Sequence, residues 1–109
     1  MSNDFEIDSI EWKPVRRDVA QGVFGKTILD EQVKVVVTRL IPGAKFTPHR
    51  DQYGHLLYFQ SGEGYVRVGD QQIVARPGVV VQIMPGEEHE YGNTGADELT
   101  LISLNLPGS

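Results

Sequence analysis

Three histidines and one aspartate carry the chemistry for which this sequence can be read. His49 and His55 lie close together, His89 follows the Pro85-Gly86 pair, and the chain has 3 histidines in all. His49 and Asp51 form an i, i+2 pair, and on a β-strand such a pair projects from one face. His55 and His89 each follow a glycine-containing turn and border an apolar, β-branched run. Neutral imidazoles with a carboxylate suit a divalent metal such as Zn, Fe, Ni, Mn or Co. This pattern commits every histidine, so no separate Ser-His-Asp arrangement is left. The absence of cysteine removes disulfides, thiolate ligands and a thiol nucleophile.

Those side chains need a scaffold, and 109 residues is the length of one domain with one core. The net charge is -5, and the 10 basic residues are dispersed, which argues against a nucleic-acid partner. The N-terminus is acidic and lacks the apolar stretch of a secretory signal. No segment approaches the roughly 20 apolar residues of a membrane span. The expectation is a cytoplasmic protein with no membrane partner.

The patterning is β throughout. Strands are expected at 33–41, closed by Pro42-Gly43, and at 55–60, 65–68, 71–76, 79–84 and 99–106, with His89, Glu90 and Tyr91 leading into a turn at Gly92-Asn93. Turn signals recur every 8 to 12 residues, the spacing of an all-β sandwich or barrel. No window holds a 3.6-residue apolar period long enough for a helix. Residues 1–11 read as an N-terminal arm and 12–109 as a single domain.

Two motifs then stand out. Gly43, His49, Asp51, His55 and Gly62 match the spacing Gly, five residues, His-x-His, three or four residues, Glu, six residues, Gly. Gly78, Gly86, His89 and Asn93 match the spacing Gly, five residues, Pro-x-Gly, two residues, His, three residues, Asn, with Pro85 at the x position. In these the chain resembles a small single-domain cupin. The resemblance implies a double-stranded β-helix, or jelly roll, with one divalent metal ion inside the barrel. The sequence departs from the pattern in three places: Asp51 stands for a histidine, His55 for the glutamate and Met84 for a proline. The first two departures nearly cancel, since three imidazoles and one carboxylate remain and a divalent ion among them leaves a formal site charge of +1. The implied ligands are His49, Asp51, His55 and His89, with Asp51 bound directly or, being shorter than histidine, through a water.

By strand parity, Leu57 and Phe59 go with His55, and Tyr91 goes with His89. Phe59 and Tyr91 are therefore candidate walls of a mostly apolar pocket for a small chelating ligand, and Gln82, which interrupts an apolar run, is a third whose face parity does not decide. Glu87, Glu88 and Glu90 read as a solvated acidic turn, and Arg16-Arg17 as a surface pair. Fe would point to a dioxygenase, while Zn, Ni or Mn would point to a Lewis-acid isomerase, lyase or hydrolase. A non-catalytic module binding a small ligand or sugar is the alternative. The family commonly forms dimers, and Phe5, Ile7, Ile10 and Trp12 give an otherwise acidic arm the apolar surface for a homodimer.

Overall fold

Alternation of apolar and polar side chains turns most of the chain into strands. A computed structural model describes residues 3–108. The strands are β1 (Lys13–Pro14), β2 (Ala20–Asp30), β3 (Lys34–Phe46), β4 (Gly54–Ser61), β5 (Gly64–Val68), β6 (Gln71–Ala75), β7 (Val80–Ile83), β8 (His89–Asn93) and β9 (Leu99–Leu106). A short 3-10 turn at Ile7–Ser9 is the one helical element among the described residues. Pairing runs β6-β5-β8-β3-β9-β4-β7, with β2 on β3 and β1 on β2. The pairs are antiparallel. The sheet curls into the expected jelly-roll barrel.

The long strand β3 joins the two halves of the barrel. Its first part pairs with β9 from Lys34↔Asn105 to Leu40↔Leu99, and Lys45 pairs with Gly92 of β8. Pro42-Gly43 was expected to end this strand, and it does not. The chain crosses it in a bulge, where the register to β2 slips between Val23↔Leu40 and Gln21↔Lys45. Gly22 and Gly43 supply the positive φ (77° and 83°) that the bulge requires. Pro42 is tolerated because it lies where β3 has left β9 and not yet met β8, so no ladder bond needs its missing N–H. The sequence pattern does not mark β2, because Gly22 and Gly25 dilute its alternation.

The inner face is built in cross-strand rows. Lys34, Asn105, His55 and Ile83 form one row across β3, β9, β4 and β7. Val36, Ser103, Leu57 and Val81 form the next. Thr38, Leu101 and Phe59 follow, and Leu40 with Leu99 lies deepest. The barrel is therefore apolar and solvent-free at the Leu40 end and polar at the Lys34 end.

The arm packs on its own barrel. Lys26 Nζ donates to the Ile7 carbonyl at 3.2 Å, and Trp12 lies 4.8 Å from the Lys26 ammonium and 4.5 Å from the Arg39 guanidinium. Of the arm residues expected to serve a dimer, Trp12 is thus engaged by its own chain, while Phe5 and Ile7 are exposed.

Candidate metal centre

The strands place the histidines by three different devices. His55 sits near the start of β4, facing inward, and His89 opens β8. His49 lies in the loop between β3 and β4, tied to His89 by a backbone bridge: His49 N–H donates to His89 O at 3.0 Å and His89 N–H to His49 O at 2.9 Å. The His49–Asp51 pair is therefore not a strand pair, as parity had suggested. It is a loop clasped by the Pro85-Gly86 turn. Gly86 N–H donates to Asp51 O at 2.8 Å, and Arg50 Nη1 donates to Gly86 O at 2.8 Å.

The four side chains converge. Asp51 Oδ2 lies 2.8 Å from His55 Nε2, 3.4 Å from His49 Nε2 and 3.6 Å from His89 Nε2. The donor atoms of His49, Asp51 and His89 all lie within 4.8 Å of one another, a group that could hold a metal ion. Metal–ligand bonds of roughly 2.0–2.2 Å set donors about 3.0–3.5 Å apart; the Asp51–histidine spacings are close to that, while His55 falls outside the group whose donors all lie within 4.8 Å of one another.

Hydrogen bonding fixes which lone pairs face inward. His49 Nδ1 is 2.7 Å from the Thr47 carbonyl, and His89 Nδ1 is 2.9 Å from the Glu87 carbonyl. A carbonyl only accepts, so both Nδ1 atoms carry the hydrogen and both Nε2 atoms present lone pairs to the centre. His49 Nε2 is buried and has no hydrogen-bond partner. Lone pairs aimed at one another and at a carboxylate oxygen repel, and a cation between them removes the repulsion. The residues therefore fit a metal ion on their own chemistry.

Arg16 is the residue of this cluster that sequence reasoning missed. It is held at positive φ (53°) in the loop between β1 and β2. Its Nη2 donates to Asp51 Oδ1 at 3.1 Å, and its Nη1 to Asp51 Oδ2 at 3.3 Å and to the Tyr53 hydroxyl at 3.2 Å. Its Nε also donates to Asp18 at 3.3 Å. The expected surface pair is thus split, with Arg17 exposed and Arg16 inside the site. No local pattern signals this, because the partners lie 35 residues apart in the chain. Burial pushes the Asp51 carboxyl upward, but the hydrogen bonds from Arg16 and His55 outweigh it and hold the carboxyl below its ordinary range. Burial lowers His55 and His89, which favours neutral imidazoles able to bind a metal.

A cavity of ≈ 90 Å³ adjoins the cluster. It is far smaller than a drug-sized pocket of roughly 300–1,000 Å³. Tyr91 lines it, stacked on Phe46 at 4.2 Å. Phe59 has the right parity but the wrong depth: it is buried behind Tyr91, with ring centroids 6.3 Å apart, and lies outside the lining. Gln82 is exposed on the outer face of β7, and Ile83, opposite His55, takes the lumen position. The wall is also more polar than expected, with Arg16, Lys34, Thr27, Ser103 and Asn105 alongside Leu57 and Ile83.

The structure is similar to solved proteins at low identity. It matches a polyketide cyclase, RemF, from Streptomyces resistomycificus with a TM-score of 0.85 and 16% identity, covering 96% of this chain and 79% of that one. A predicted oxalate decarboxylase from Thermotoga maritima gives 0.85 and 19%, covering 94% and 96%. A cupin-like protein from Thermotoga maritima gives 0.75 and 25%, covering 96% and 81%. No curated protein matches in sequence. The Cupin_2 family, described as the cupin domain, matches residues 36–105, which include both motifs and all four converging side chains. The chain belongs to the cupin family.

Proposed function

We propose that this protein is a metal-dependent enzyme acting on a small chelating molecule inside the barrel, with His49, Asp51, His55 and His89 holding one divalent ion. The observation that carries this is the convergence of three Nε2 atoms on Asp51 Oδ2, with two of them fixed as lone-pair donors by backbone carbonyls. Such an ion supplies Lewis acidity toward a carbonyl or carboxylate if it is Zn, Ni or Mn, and dioxygen chemistry if it is Fe. The chain's own residues do the rest. Thr47 and Glu87 lock the tautomers, Arg16 braces both Asp51 oxygens while Oδ2 faces the histidines, and Phe46, Tyr91, Leu57 and Ile83 line the lumen beside them.

One observation favours a non-catalytic small-ligand module. Arg16 already neutralises Asp51, and His55 already hydrogen-bonds it, so that carboxylate is satisfied by protein groups. Metal analysis of protein purified without an affinity tag separates the two readings. Bound iron with O2 uptake on diketones, catechols or thiols gives a dioxygenase. Bound zinc, nickel or manganese without uptake gives the isomerase or lyase class. Protein that neither carries nor takes up metal is the module.

A further inference from the structure

The row that contains His55 ends in a cation that the metal centre does not use. Lys34, Asn105 and His55 are neighbours across β3, β9 and β4. Lys34 has the inward parity of Val36, Thr38 and Leu40 and lines the cavity together with Asn105 and Thr27. Two strand spacings of roughly 4.8 Å separate its backbone from that of His55. Asn105 stands between them in the row, paired with Lys34 on one side and His55 on the other.

The neighbouring cations are already matched. Arg16 is held by Asp18 and Asp51, Arg39 by Glu98, and Arg67 by Glu88 and Glu90. Lys34 has no side-chain hydrogen bond or ion pair among the described residues. An inward-facing charge on a barrel strand costs stability unless something neutralises it or water reaches it. Lys34 is half-buried and lines both the inner cavity and the shallow pocket outside it, so a long stem there can keep its ammonium in reach of water. Arg16 cannot serve as a second free cation, since Asp51, Asp18 and Tyr53 occupy its donors.

We propose that Lys34 and Asn105 form an anion subsite at the cavity mouth, taking the carboxylate of a short substrate whose other end reaches the histidine–aspartate cluster. Only the second half of that statement rests on the metal-centre reading. One ammonium and one amide suit a singly charged carboxylate, whereas a phosphate dianion calls for more donors. The cavity of ≈ 90 Å³ suits a short molecule such as a C3 or C4 acid.

The test is calorimetric titration of metal-loaded protein with succinate and with neutral succinamide. Wild type should bind succinate at least tenfold more tightly. Lys34→Met should lose that preference while keeping wild-type affinity for the metal, and Lys34→Arg should restore it. Equal binding of the two probes, no succinate binding, or a preference that survives in Lys34→Met would overturn the subsite. If wild type binds no metal, the metal reading fails by itself. The same titration on metal-free protein then decides: a Lys34-dependent preference for succinate sustains the subsite, and its absence ends it.

Discussion

At the closed end of the barrel Leu40, Phe59, Leu99 and Leu101 exclude solvent completely. At the open end, four to six residues along the same strands and on the same face, stand Lys34, His55 and Asn105. Backbone geometry is shared, so the difference lies in the side chains alone. The closed end is held by area removed from water, which is non-directional and insensitive to charge. The open end is held by aimed donors and acceptors, and it retains one orphan, His49 Nε2. Buried polar groups of that kind lower stability unless satisfied. The barrel thus keeps its apolar core at one end and its candidate site at the other.

The largest effect should come from the closed end. Phe59→Ala should cost about 3–5 kcal/mol, the range for emptying a packed aromatic site. Urea unfolding measures it, and metal stoichiometry of the folded fraction should stay the same. Loss of metal binding at unchanged stability would break the division between the two ends.

Asp51→Asn is the matching change at the open end. It leaves Arg16 half-buried beside a neutral amide, a loss of about 1–3 kcal/mol, and should weaken Zn binding at least tenfold by calorimetry. If stability falls while zinc affinity holds, Asp51 is the partner of Arg16 and the metal is held by the histidines alone.

The open end should also make metal-free protein acid-sensitive. Burial lowers His55 and His89, so below about pH 6.5 the unfolded chain takes up protons that the folded one resists. Their contribution is complete above that pH and is lost as pH falls toward their folded values. Asp51, also lowered, adds the same sign below about pH 3.9. The melting temperature should drop between pH 8 and pH 5.5, and His89→Gln should flatten that drop. An equally steep profile in the variant would mean that the acid sensitivity lies elsewhere.

Much of the closed end could be read from the chain, because burial leaves a periodic trace. Alternation gave the parity of Leu57 and Phe59, and the turn signals gave most strand ends. The histidines were legible because their spacing is fixed by motifs. The Arg16–Asp51 fork was not, since a contact between two distant loops leaves no period in either. β2 was hidden by its glycines, and Pro42-Gly43 looked like a stop because a bulge and a strand end use the same residues. Depth along the lumen was also invisible: parity puts Phe59 on the correct face but does not say that Tyr91 stands in front of it.

Gln82 gives the smallest and most diagnostic effect. The run from Val79 to Met84 is apolar at every position except Gln82, so it carries no alternation from which to choose a face. A polar residue in such a run can point into a polar lumen or out to water, and parity alone does not decide between them. Pairing settles the face: Ile83 is opposite the inward His55, so Gln82, opposite Leu56, must turn outward. Gln82→Ala should therefore change stability by no more than about 0.5 kcal/mol, as exposed sites do. Zinc affinity and the preference for succinate over succinamide should match wild type. A severalfold loss of either would mean that β7 is displaced by one residue, since such a slip exchanges the two faces of a strand. Ile83 would then leave the lumen, and the polar row that defines the open end would end at His55.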